Sequence, residues 1–314
     1  MFSYTNNEHL VRSNLWSSEL KEVLLDRLVG MQWVDWLSDF PDGDTINIPS
    51  IGQADVMNYN EGEAVRYQSM DTGNFTFTIG KYKSSATYIT EKMKQDSYYT
   101  GRLISSFVPK QARAIAKAME VDMLAVGPLG QTANNLNAIN GANHRWIGQG
   151  TNQVISVQDF ARAKFGLDKA NVPSENRVAV VDPSVEYQLN TITNLTNVSN
   201  NPRWEGIITS GLSNGMQFMK NIYGFDVYIS NNLFQNTTSE TINSVTTAAG
   251  VNNLFFSAAG DVLPIIGAMR QAPKVDSEYN KDFQREEYVT TCRYDFKLFR
   301  PENMICVVTD PTQV

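Results

Sequence analysis

Thr45-Ile46-Asn47-Ile48-Pro49 and Asn74-Phe75-Thr76-Phe77-Thr78-Ile79 are the stretches on which the reading of this chain turns. Each alternates polar and apolar residues with a period of two, the mark of a strand solvated on one face. Between them, from Gly52 to Gly73, runs a polar insert punctuated by glycine. The pattern predicts an extended hairpin that cannot build its own core, and a two-stranded ribbon is marginal alone in water. It must lean on its own body or on another chain.

Charge sharpens this. Residues 41–80 carry Asp42, Asp44, Asp55, Glu61, Glu63 and Asp71 against Arg66 alone. The next forty carry Lys81, Lys83, Lys92, Lys94, Arg102, Lys110, Arg113 and Lys117 against Glu91, Asp96 and Glu120. An acidic ribbon followed by a basic segment is complementary in sign, although charge runs also commonly face water.

Upstream, Ser17 or Ser18 caps an expected helix with Leu20, Leu24, Leu25 and Leu28 on one stripe. It leads to Trp33-Val34-Asp35-Trp36-Leu37, read as a short amphipathic helix packed by its tryptophans. Downstream, the basic segment reads as helical around Pro109, with Ala112, Ile115, Ala116, Met119 and Met123 on one face. One kinked helix or two helices are expected, ending at Gly127-Pro128, followed by a loop from Gly130 to Gly150. Strands are expected at Arg177–Val181, Gly206–Thr209 and Gly224–Ser230, with a helix capped by Ser184 and running through Thr193 and another near Ala258 to Met269. Two closing strands, Tyr288–Phe299 and Met304–Thr309, flank Arg300-Pro301-Glu302. The class is α+β.

Composition bounds the rest. With 314 residues, 42% of them hydrophobic and only 19% charged, the chain is long and apolar enough for a substantial core. The net charge of −7, without any lysine–arginine tract, argues against a sequence-reading nucleic-acid binder. The start has neither a basic nor an apolar signal segment, and the best apolar run, Leu254 to Met269, is broken by Asp261 and Pro264. Cys292 and Cys306 read as two reduced thiols of an intracellular protein.

No catalytic, cofactor or metal constellation emerges. Gly211-Leu212-Ser213-Asn214-Gly215 matches the nucleophile elbow of α/β-hydrolases, whose histidine follows the serine in the chain. Here His9 and His144 are the only histidines, and both precede Ser213. Phosphate-loop, dinucleotide and zinc patterns are missing as well. Paired carboxylates brought together by the fold would leave no local signature, so an enzyme of that kind stands as the alternative from a different class.

The order of elements resembles a known family. Gly43-Asp44-Thr45-Ile46-Asn47-Ile48-Pro49, Tyr59-Asn60-Glu61-Gly62-Glu63, Ala116 to Ala125, Gly224-Phe225-Asp226-Val227-Tyr228-Ile229-Ser230-Asn231-Asn232-Leu233 and Phe299-Arg300-Pro301-Glu302 carry the likeness. Together they resemble the major capsid protein of tailed double-stranded DNA bacteriophages, with the HK97-type fold. The resemblance implies an N-terminal arm and first helix over residues 1–40 and an extended loop over 41–80. It implies a peripheral domain with a spine helix over 81–130 and 285–314, and an axial domain over 131–284. It further implies self-assembly into hexamers and pentamers of an icosahedral shell around double-stranded DNA. The expected partners are a scaffolding protein, a portal and a decoration protein, with no cofactor and no membrane. The chain would be made in the host bacterial cytoplasm and end in the virion.

Contacts between subunits are expected at Asp55, Tyr59, Glu61, Glu63 and Arg66 on the ribbon, and at Lys92, Lys94, Arg102 and Lys110 on the basic segment. Between Pro41 and Gly80 there is no lysine, so the covalent lysine–asparagine cross-links of some members are not expected. With Met1 as the true start, the arm before the first helix is expected to be too short for a fused, cleaved scaffolding domain, and a separate scaffolding partner is expected. The alternatives are an encapsulin-like compartment shell, a tail component, or a hydrolase using Ser213.

Overall fold

The computed structural model describes residues 30–37, 43, 45–51, 58, 61, 72–96, 100–131, 138–191, 218–242, 244–247 and 250–310. The N-terminal stretch leads from β1 (Val34–Leu37) through the ribbon strands β2 (Thr45–Ile51) and β3 (Thr72–Thr78) to β4 (Lys81–Thr90). Three helices follow: α1 (Glu91–Asp96), α2 (Thr100–Leu124) and α3 (Val126–Gly130). Then come β5 (Ala138–Ile139), β6 (Ala142–Asn143), β7 (Arg145–Ile147), α4 (Val157–Lys169), β8 (Arg177–Val181) and α5 (Pro183–Thr191). Short strands β9 (Phe218–Ile222), β10 (Phe225–Ile229), β11 (Gln235–Asn236), β12 (Glu240–Ile242) and β13 (Val245–Thr247) precede four closing strands. These are β14 (Gly250–Ser257), β15 (Ile265–Asn280), β16 (Arg285–Leu298) and β17 (Ile305–Thr309).

Two sheets organise the molecule. The larger has the order β7-β17-β14-β8-β10-β9, with β11 also on β14; the smaller is β1-β15-β16-β4. In the larger sheet every residue of β8, β14 and β17 is buried. Covering both faces of a sheet removes the need for polar alternation, which is why Arg177-Val178-Ala179-Val180-Val181 reads as one apolar run. Phe255 of β14 meets Phe160 of α4 and Phe225 of β10 edge to face, at 5.1 and 5.4 Å. The smaller sheet lies against α2, whose stripe Ala112, Ile115, Ala116, Met119 and Met123 joins Cys292, Tyr294 and Phe296 of β16 in one core. Burial pushes the thiols of the free Cys292 and Cys306 up to about 11 and about 12. No helix of the described residues is long and apolar enough to cross a bilayer.

The strands expected at 45–49, 74–79, 177–181, 224–230, 288–299 and 304–309 are present. Several other expectations are corrected. Val34–Leu37 is a strand pairing in parallel with Ile265–Ala268, preceded by a single 3₁₀ turn at Gly30–Trp33. Trp33 instead seals the core edge to face against Tyr228 and Phe256. Lys81–Thr90, the start of the basic segment and without a reading of its own, pairs over ten residues with β16, in keeping with its tyrosines, threonines and isoleucine. The helix runs unbroken through Pro109, and Gly127 and Pro128 lie within α3 rather than at a terminus.

The expected loop at 130–150 contains β5 to β7, the last fully buried. Asp182, not Ser184, caps α5: its carboxylate accepts from the Ser184 backbone and hydroxyl at 3.0 and 2.5 Å. Ala258–Met269 is no helix, because Gly260, Pro264 and the β-branched Ile265 and Ile266 favour a turn followed by β15. Strand pairing places β15 in the smaller sheet and β17 in the larger. The helix from Ser17, the strand at Gly206–Thr209 and the Ser213 motif lie outside the described residues.

Candidate assembly interface

The ribbon pairs seven residues on seven, from Thr45↔Thr78 to Ile51↔Thr72, and joins no other strand among the described residues. Its register puts Ile46 opposite Phe77 and Ile48 opposite Phe75, so one face is apolar. The other face is polar, with the Thr45 and Thr78 hydroxyls 3.2 Å apart and Thr76 Oγ1 donating to Asn47 Oδ1 at 3.1 Å. Among the described residues the ribbon is clamped at its base. Phe77 and Ile79 pack with Ala268, Phe75 meets Phe299 edge-on at 5.0 Å, and Lys297 Nζ donates to the Thr76 carbonyl at 2.6 Å. Ile46 and Ile48, opposite Phe77 and Phe75, stay half-exposed. Among the described residues that face is only partly covered.

The anticipated contact residues divide. Glu61, in the chain between the two ribbon strands, is exposed, while Asp55, Tyr59, Glu63 and Arg66 lie outside the described residues. Lys92 on α1 and Lys110 on α2 are exposed. Arg102 falls within α2, and its side chain lies outside the described set. Lys94 is engaged within its own chain, with Nζ 2.5 Å from Glu286 and 3.8 Å from Glu91. Lys81 and Lys83 both reach Asp122 on α2, at 3.3 and 3.4 Å, and Asp122 also accepts from the Tyr294 hydroxyl at 2.8 Å. The basic block is therefore spread over a strand and two helices, and part of its charge is neutralised within the subunit.

A set of residues that the sequence did not single out lies on the face of the smaller sheet turned away from α2. Gly80, Tyr82, Arg270, Gln271 and Arg293 line a cavity of about 540 Å³. Residues 269 and 271 of β15 pair with 294 and 293 of β16, leaving Arg270 as an extra residue in a β-bulge. A regular strand points consecutive side chains to opposite faces; a bulge re-aims one, so Arg270 and Gln271 can line the same cavity. No local pattern announces that shift. Among the described residues no cluster of histidine, cysteine and carboxylate side chains would hold a metal ion.

A family model described as phage capsid protein matches residues 74–307. The chain belongs to the phage capsid protein family. Solved structures agree in fold, which is of the HK97 type. The capsid of cyanophage P-SCSP1u superposes with a TM-score of 0.67 at 16% identity, covering 90% of this chain and 88% of that one. A chain of Mycobacterium phage Che8 gives 0.60 at 18% identity, with 86% of each chain covered. The virus-like particle from Pyrococcus furiosus gives 0.52 at 11% identity, covering 94% of this chain and 99% of that one. Among curated proteins no sequence relative is matched. A phage capsid protein is a structural, non-enzymatic shell component, and neither the compartment-shell nor the hydrolase alternative is favoured.

Proposed function

We propose that this capsid protein tiles hexamers and pentamers of an icosahedral shell around double-stranded DNA, with the ribbon as the element that reaches a neighbouring subunit. One observation carries this: a ribbon with one apolar face, clamped at its base and bound to no other strand among the described residues. Such a face gains most by burial on another copy. In the same reading residues 41–80 form the extended loop, α2 is the spine, and the smaller and larger sheets are the peripheral and axial units. A separate scaffolding protein sets shell size, a portal and decoration proteins complete the particle, and synthesis takes place in the host bacterial cytoplasm. The net charge of −7 fits a wall that contacts packaged DNA without gripping it, since phosphate binding needs clustered cations.

Light scattering and negative-stain microscopy on the purified chain, alone and with the candidate scaffolding protein, test the reading. Closed shells or five- and six-membered rings are expected. A monodisperse monomer under all conditions would overturn it. Denaturing gels of the shells should show monomer alone, as the absence of lysine from the ribbon requires.

A further inference from the structure

We propose that the cavity lined by Tyr82, Arg270, Gln271 and Arg293 is the seat for the acidic end of a second copy's ribbon, with Glu61 as the entering carboxylate. The inference rests on the shell-subunit reading above and assigns the ribbon a receptor.

The lining carries two guanidiniums and no carboxylate, while Asp295 Oδ2 stands at the rim and accepts from Gly80 N at 3.0 Å. Among the described residues neither Arg270 nor Arg293 forms an ion pair, whereas Lys81, Lys83 and Lys94 each do. Arg293 donates from Nη2 to the Ile79 carbonyl at 3.2 Å, which holds the guanidinium beside Gly80. Gln271 is fixed in turn by its Nε2 bond to Thr291 Oγ1 at 3.0 Å. Side chains already held in place lose less entropy on binding. A guanidinium fork suits a carboxylate better than a lysine does, because it offers two parallel donors in one plane. Tyr82, 59% exposed, adds an aromatic wall beside the charges. Such a lining, part cationic and part aromatic, fits an acidic peptide segment.

The occupant follows from charge and from reach. Residues 52–71 hold Asp55, Glu61, Glu63 and Asp71 against Arg66, and Glu61 is exposed. Gly80 lies two residues past the base of the ribbon, at the rim of the cavity. Seven paired residues carry the far end of the ribbon away from that rim by about 20 Å. Strands that end at Ile51 and Thr72, with an exposed Glu61 between them in the chain, fit a receptor on a second copy better than the subunit's own cavity. Lys94 on α1 and Lys81 and Lys83 on β4 are poorer receptors, since their charges already meet Glu286 and Asp122.

Charge reversal tests this in the full-length chain. Arg270→Glu alone and with Arg293→Glu, Glu61→Lys with Glu63→Lys, and the combined variant are compared for shell yield by sedimentation and negative stain. Circular dichroism and thermal melting report folding. Each one-sided reversal is expected to lower shell yield about tenfold or more, with the melt unchanged. The combined variant, with both signs exchanged, should recover shells. Normal yield from Arg270→Glu/Arg293→Glu overturns the proposal. Loss without recovery in the combined variant also overturns it, assigning the cavity to another acidic segment such as the N-terminal stretch of a second copy. If Arg293→Glu unfolds the subunit by releasing Ile79, the single Arg270→Glu variant paired with Glu61→Lys decides the matter by the same two outcomes. Failure of the unaltered chain to assemble would instead strike the shell reading itself.

Discussion

The larger sheet and the ribbon are both built from extended runs of isoleucine, valine, phenylalanine and threonine, yet they end in opposite states. In β8, β14 and β17 every side chain is buried, with helices and neighbouring strands covering both faces. In the ribbon Phe77 is buried and Phe75, Ile46 and Ile48 are only half-buried, while the opposite face is open. The first kind of strand gains its stabilisation within one chain. The second keeps part of its apolar surface for a partner, at little cost to the fold because the body does not depend on it. The difference teaches where mutations should be felt: folding in the sheet, assembly in the ribbon.

The strongest way to break that contrast is Phe255→Ala. The ring is fully buried between Phe160 and Phe225, so its removal leaves a cavity and two broken aromatic contacts. A loss of about 4 kcal/mol in unfolding free energy is expected in urea titrations of the unassembled subunit. A loss no larger than that of a ribbon substitution would mean that the sheet is not the stabilising core.

Asp159→Ala comes next. This buried carboxylate accepts from Trp146 Nε1 at 2.9 Å, Gln149 N at 3.1 Å, Ser156 N at 2.8 Å and Ser156 Oγ at 3.0 Å. It closes the capping box of α4 and ties that helix to β7. Removing it orphans several donors and should cost about 3 kcal/mol in the same titration. Asp159→Asn, which keeps one acceptor oxygen, should fall between.

The same contrast explains what the sequence made legible. Alternation exposed the ribbon because a half-solvated strand writes its face into the residue order, and Arg177–Val181 was legible because an apolar run bounded by Asp182-Pro183 fits a buried strand. Val34–Leu37 was missed because its strand character comes from a partner at Ile265–Ala268, remote in the chain. Pairing at that range overrides local helical spacing. Ala258–Met269 was misread because apolar residues at helical intervals outweighed Gly260 and Pro264. In the candidate interface, Glu61 and the basic residues were visible as charges, but not that Asp122 and Glu286 occupy some of them. Arg270 was invisible for a sharper reason. Its role depends on one extra residue in a strand register, a property of the pair rather than of either segment.

Ile48→Ser probes the other half of the contrast. Ile48 sits opposite Phe75 and is half-exposed in the subunit. Losing part of one side chain's burial should lower subunit stability by about 1 kcal/mol at most. Shell yield should fall much further, since the face that the ribbon offers a neighbour is broken. Equal losses in melting and assembly would show that the ribbon face serves its own subunit.

The smallest expected effect lies at the seam between α2 and the turn after β10, where Glu120 meets Ser230 Oγ at 3.5 Å. Burial raises its pKa above the ordinary 4.5, and hydrogen bonds from Asn232 and Ser230 only partly offset this. The folded protein therefore holds this proton more tightly than the unfolded chain does. As pH rises through 4.5 toward the folded value the unfolded chain ionises first, so the contribution of Glu120 to stability falls across that window and stays reduced at neutral pH. Glu120→Gln should raise Tm slightly at pH 7, with a gain that shrinks toward zero below pH 4.5, where the carboxyl is protonated in both states. A gain independent of pH would assign the effect to helix propensity or packing. A loss at pH 7 would mean that the bonds from Ser230 and Asn232 outweigh the cost of burying the charge.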